Sequence, residues 1–171
     1  MSRAFVKEDD TGQPPIIPPR AALPPGVTNY VTPFGLEKLR AELVELETAR
    51  AKAEANREDE ANRTRQLTIL NAQINALNER IASARVIDPK EQPADEVRFG
   101  ATVTLKTVEG PKAGQKRTFT VVGVDEADVS ENKIAFVAPI AKAVIGAKAG
   151  QIVTLRLGRN EEQVEVVGIR Y

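Results

Sequence analysis

The sequence predicts an α+β protein: an N-terminal antiparallel coiled-coil helical hairpin, then a small, mainly antiparallel β domain with one short helix. Three observations predict it. Two apolar seams at heptad spacing lie in the first half. Short alternating or β-branched runs, separated by Gly and charged clusters, fill the second half. A proline-rich stretch precedes both and has no periodic apolar face.

Residues 1–32 are read as a mostly disordered arm. Pro14, Pro15, Pro18, Pro19, Pro24 and Pro25 favour extended, polyproline-type backbone. Pro15-Ile-Ile-Pro18 with nearby Arg20 also fits a loose PxxP docking pattern, but such patterns arise readily in any proline-rich tract.

The hairpin is placed at residues 33–86. Thr32 suits a helix N-cap and Pro33 the first helical position. Leu36, Leu39, Leu43 and Leu46 form one seam; Leu67, Leu70, Ile74, Leu77 and Ile81 form the other. Neither seam is long enough for a free-standing rod, so each covers the other. Pairing Leu36 with Ile81, Leu39 with Leu77, Leu43 with Ile74 and Leu46 with Leu70 keeps the index sum nearly constant. That pairing centres the turn between Glu58 and Asp59, and each arm of about 24 residues reaches about 36 Å. Arg50 and Ala53 replace leucine toward the far end, which should be thin and weakly held.

A polar linker is expected at residues 87–98, and the β domain at 99–171. Its strand-like runs are residues 101–106, 116–124, 134–137, 151–157 and 163–171, with a short helix over 138–145. Gly110-Pro-Lys-Ala-Gly114-Gln-Lys116 superficially resembles a phosphate loop. Its glycines are too close for that motif and a strand-like run follows, so it reads as a hairpin turn.

Composition excludes several chemistries. The chain has no Cys and no His, which removes disulfides, thiol and imidazole catalysis and the usual zinc ligand sets. With 24 basic and 24 acidic residues the formal charge is zero, so partner contacts must come from local patches. No stretch approaches a membrane span, and no targeting segment is expected at the N-terminus. A cytoplasmic protein is expected, without membrane contact.

One place carries candidate chemistry. Glu58, Asp59 and Glu60 cluster at the hairpin turn, with Lys52, Arg57, Arg63 and Arg65 behind them. An exposed acidic tip can share a magnesium ion held elsewhere, because magnesium takes one or two protein carboxylates and keeps open positions. A basic collar suits an RNA backbone or a partner surface. The plainer reading is a solvated helix–helix turn. Asp125, Glu126 and Asp128 form a second acidic cluster, read as a solvated turn in preference to a cation site.

The motif residues resemble a known family. Phe99-Gly-Ala-Thr-Val103, Val121-Val-Gly-Val-Asp-Glu-Ala-Asp128 with Asn132 and Ile134, and Pro139-Ile-Ala-Lys-Ala-Val-Ile-Gly146 resemble the C-terminal domain of Gre transcript-cleavage factors. Gly35-Leu-Glu-Lys-Leu-Arg-Ala-Glu-Leu43 and Ala84-Arg-Val-Ile-Asp88 resemble that family's hairpin base and exit. The resemblance runs from about residue 30 to the C-terminus. It implies an FKBP-like C-terminal domain and a bacterial RNA polymerase as partner, with the hairpin entering the secondary channel. It also implies docking through Asp125, Glu126, Asp128, Pro139 and Ile140. At the tip it implies that Asp59, Glu60 and Glu58 assist the polymerase in cleaving backtracked RNA, with Asp59 and Glu60 on a shared magnesium ion. Lys52, Arg57, Arg63 and Arg65 would then contact polymerase or the nascent RNA 3′ end. Such a factor is a regulator, not a free-standing enzyme, has no cofactor of its own, and is expected to be a monomer.

Two departures bear on that picture. The family's tip runs roughly Gly-Asp-x-x-Glu-Asn-Ala. Matching Asp59 to its Asp puts Asn62 on its Glu; matching Glu60 to its Glu puts Arg57 on its Asp. The hairpin is also about a dozen residues shorter than in the family's cleavage factors, which shortens the reach by about 10 Å. A shortened hairpin resembles the regulators of nucleoside diphosphate kinase, Gre relatives that enter the same channel without cleavage. The readings are thus a cleavage factor, a non-cleaving channel binder, a coiled-coil scaffold without polymerase contact, and, on the fold alone, a prolyl isomerase. The last is disfavoured by the scarcity of aromatics for a substrate pocket.

Overall fold

The computed structural model describes residues 14–171. Strand β1 (Asn29–Val31) leads into helix α1 (Pro33–Ala55); α2 (Glu60–Ala82) returns and ends in β2 (Ala84–Val86). Thr32 caps α1 by accepting a hydrogen bond from the Gly35 amide at 2.9 Å, with Pro33 in the first turn as expected. Asp59 caps α2 by accepting from the Asn62 amide at 3.0 Å. The turn therefore falls at residues 56–59, where the seam pairing puts it.

The two arms have 23 residues each, about 35 Å at 1.5 Å per residue. Leu39 and Leu77 are buried, with Leu36, Leu43, Leu46 and Ile81 packed around them. Ala53 is buried near the tip, so a methyl group fills there the place that leucine fills nearer the base.

The proline-rich arm ends differently from the sequence reading. Residues 29–31 form β1, which pairs in parallel with β2 and closes the open end of the hairpin. This pairing joins the two ends of the hairpin, a long-range contact that no local pattern signals. Residues 14–28 lack helix or strand, yet Arg20 and Ala21 bond to the hairpin. The segment from 1 to 13 lies outside the described residues.

The C-terminal sheet comprises β3 (Thr102–Thr107), β4 (Lys116–Val122), β5 (Lys133–Ala135), β6 (Ile152–Leu157) and β7 (Asn160–Arg170), in the order β5-β4-β3-β7-β6. It is mixed: β5 runs parallel to β4, while the other pairs are antiparallel. The parallel pair is possible because residues 123–132 cross from the end of β4 back to the level of Thr120, where Lys133 begins β5. Helix α3 (Pro139–Val144) packs on the sheet, burying Ala141 and Val144 against a core that includes Val103, Leu105, Phe119, Val121, Leu155, Val164 and Val166.

Residues 108–115 form the β3–β4 connection, closed by the Gly114 amide donating to the Thr107 carbonyl at 2.8 Å; Lys116, read as part of the turn, already belongs to β4. β7 starts at Asn160, not Gln163: Leu157 pairs with Asn160 across a turn of Gly158 and Arg159. The charged run 160–162, read as a separator, is part of the hairpin because that segment is largely exposed, so strand pairing there needs no apolar alternation. Val97 is fully buried and exchanges backbone hydrogen bonds with Gly146 and Ala147, so the C-terminal unit begins a little before residue 99.

Candidate functional site: the hairpin tip and the joint at its base

At the tip the chain leaves α1 at Asn56, whose side-chain oxygen accepts from the Glu58 amide at 3.0 Å. Asp59 then starts α2 with its Oδ1 on the Asn62 amide. Arg63, one turn on, donates to the Asn56 carbonyl at 3.1 Å and lies 4.0 Å from the Glu60 carboxylate. Arg63 thus ties the two helix ends together and is half-buried, while Lys52 and Arg57 are exposed. Arg65 is also exposed, on the next turn of α2.

Glu58, Asp59 and Glu60 are exposed and adjacent, as the sequence suggests. They do not converge: among the described residues no group of three or more acidic side chains is placed to hold a metal ion. Asp59 uses one oxygen as a helix cap, and the residue three positions on, over the same first turn, is the neutral Asn62.

The acidic cluster at 125–128 is not the solvated turn that its composition suggests. Gly123 packs its α-carbon against the hairpin base so closely that a Cβ there would sit 2.6 Å from the Tyr30 carbonyl. This contact presses the turn 123–127 onto the hairpin. Asp125 then accepts from Arg20 at 3.1 Å and from Arg80 at 2.9 Å, and its side chain is only 8% exposed. Glu126, buried, accepts from the Thr32 hydroxyl at 2.6 Å. Two residues expected at a docking surface therefore bind their own hairpin. Asp128 caps a 3₁₀ turn at Val129–Glu131; hydrogen bonds from the Ser130 hydroxyl, then its amide, hold the carboxyl below its usual range. Pro139 is exposed, and Ile140 is half-buried against the core.

Aromatic packing completes the joint. Tyr30 contacts Phe99 and Phe136, with ring centroids 5.9 and 5.6 Å away. Arg20 forks onto Glu42 of α1 at 2.7 and 3.0 Å, which holds the Glu42 carboxyl below its ordinary range. Arg20, Tyr30, Gly35 and Gly123 are the joint residues that sequence reasoning missed. The available signal came from the two glycines, one inside the first turn of a helix and one after a strand, each within a quoted motif and without an obvious local need. Among the described residues no helix is long and apolar enough to cross a membrane.

The family described as "Transcription elongation factor, GreA/GreB, C-term" matches residues 92–171. The chain is 31% identical to transcription elongation factor GreB of Neisseria meningitidis serogroup A, covering 84% of this chain and 94% of that protein. It is 36% identical to GreA of Francisella tularensis subsp. novicida, covering 82% and 95%. Among solved structures it is similar to the GreA/GreB factor of Nitrosomonas europaea, with 22% identity, 83% and 98% coverage and a TM-score of 0.40. GreA factor homolog 1 of Thermus thermophilus is similar at 21% identity, 85% and 100% coverage and a TM-score of 0.39. With full-length relatives above 30% identity and a matching C-terminal domain, the chain belongs to the GreA/GreB family of transcription elongation factors.

Proposed function

We propose that this chain acts on RNA polymerase by inserting its hairpin into the secondary channel, and that it occupies the channel without supplying a complete carboxylate pair for transcript cleavage. Family membership supports the partner. The observation that carries the finer reading is the tip: Asp59 caps α2, and Asn62 stands where a second acid would share its helix turn. A hard divalent cation takes anionic oxygens in preference to a neutral amide. Asp59 has one oxygen committed to a backbone amide, and Glu60 faces the Arg63 guanidinium at 4.0 Å. These residues fit a shared magnesium ion poorly. Arms of 23 residues limit the reach in the same direction.

A second reading is stimulation of cleavage, which the solvent exposure of Glu58, Asp59 and Glu60 favours. One assay separates the two. A defined backtracked complex of the cognate polymerase is mixed with this chain, alone and together with a cleavage-active Gre factor. Channel occupancy predicts intrinsic-rate cleavage with this chain alone, and inhibition of the active factor in the mixture. Acceleration by the unsubstituted chain, lost in an Asp59→Ala, Glu60→Ala variant that still binds, would establish the cleavage reading instead.

A further inference from the structure

The segment ahead of the hairpin touches both halves of the molecule. Arg20 binds Glu42 on α1 through both guanidinium ends and reaches Asp125 of the C-terminal domain with one of them. Arg80 on α2 meets the other oxygen of Asp125 and donates to the Ala21 carbonyl at 2.7 Å. Asn29 donates to the Arg80 carbonyl at 2.9 Å and to Ser83 at 3.2 Å. These bonds close a ring that runs from the segment through α1, the C-terminal domain and α2 back to the segment.

The ring is polar, and no apolar side chain of residues 17–28 is fully buried, Leu23, Pro24 and Val27 being half-buried. Ile16 is 90% exposed and Ile17 is 40% exposed. A cleft of about 480 Å³ remains beside the segment, lined by Ile17, Leu46, Gln73 and Val124 among others. The segment is therefore attached by directed charge-assisted bonds, which set an angle, more than by burial, which does not.

We propose that residues 17–28 are a strap that holds the hairpin and the C-terminal domain at one angle, with Arg20 as its pin and Asp125 as the shared latch of Arg20 and Arg80. The lever is long. With arms of about 35 Å, a swing of about 10° at the joint displaces the tip by about 6 Å. The strap thus acts together with the Tyr30 and Thr32 contacts in setting where the tip points, independently of what the tip does on arrival.

The test is made on the free full chain, so its outcome does not depend on cleavage or channel binding. The chain has no cysteine, so Ala55→Cys near the tip and Ala113→Cys in the β3–β4 turn accept one nitroxide pair for pulsed electron–electron resonance. The unsubstituted strap is expected to give one narrow distance distribution. Arg20→Ala is expected to broaden it or add a second population. Arg20→Lys, which keeps the charge but not the fork, falls between. Glu42→Ala frees the strap from α1 and broadens the distribution by a second route. An unchanged distribution in both Arg20→Ala and Glu42→Ala, or a broad one with the strap intact, overturns the proposal.

Discussion

Gly35→Ala inverts the usual effect of replacing a helical glycine. Gly35 lies in the first turn of α1, where propensity alone predicts a gain of about 1 kcal/mol from alanine. A Cβ at residue 35 would lie 2.7 Å from the Glu126 Oε2 atom. That oxygen accepts the buried Thr32 hydroxyl at 2.6 Å, so moving it aside weakens the bond between helix cap and C-terminal domain. Losing a buried hydrogen bond to a charged acceptor costs about 2–3 kcal/mol, which exceeds the propensity gain. The net is a destabilisation of about 1–2 kcal/mol, or a fall in Tm of about 2–8 °C for a chain of this size. Thermal unfolding by circular dichroism measures it. The decisive control is Gly35→Ala in a Glu126→Ala background, where the obstructing oxygen is gone and alanine should become neutral or stabilising. If Gly35→Ala raises Tm with Glu126 in place, the steric argument fails.

Further outcomes follow from the same geometry. Asp59→Ala removes the α2 cap and should cost about 1 kcal/mol, seen as faster amide hydrogen exchange at residues 60–63 without change in the C-terminal domain; equal exchange in both proteins would show the cap to be idle. The Glu42 carboxyl is held low mainly by its hydrogen bonds from Arg20, and the Glu162 carboxyl by those from Thr107 and Arg117. Depressed acids contribute stability above their unfolded value of 4.5, and that contribution is lost as pH falls through their lowered native values. Urea midpoints measured from about pH 6 down to about pH 3 should therefore fall less steeply in Glu42→Gln than in the parent, and an unaltered slope would mean that the Arg20 pair is absent in solution.

The hairpin was legible in the sequence because its determinants are local. Leucines at heptad spacing, Thr32-Pro33 at the entry and a constant index sum across the pairs locate both helices and the turn. The β domain was legible as a set of strands, since alternation in 101–106 reflects one buried and one wetter face and the run 116–124 is rich in Thr, Val and Phe, which favour strands. The parallel β4–β5 pair and the start of β7 at Asn160 were not legible, because pairing direction depends on which segments the chain returns beside each other. At the tip, adjacency of Glu58, Asp59 and Glu60 could be read directly. The commitment of Asp59 to the helix cap and of Arg63 to the turn could not.

The joint shows the division most clearly. Asp125 and Glu126 have the composition of a solvated loop, and Arg20 that of a polar residue in a proline-rich tract. Only tertiary placement turns them into partners, through 105 residues of separation for Arg20 and Asp125 and 94 for Thr32 and Glu126. Sequence by itself determined the two architectural units, the register of the hairpin and the family, because these rest on periodicity and motifs within a few turns of chain. Tertiary structure alone decided which charges face solvent and which are spent on holding the units together. A charged side chain's role is set by what lies within about 3 Å of its oxygens or nitrogens, and one-dimensional order does not specify that distance.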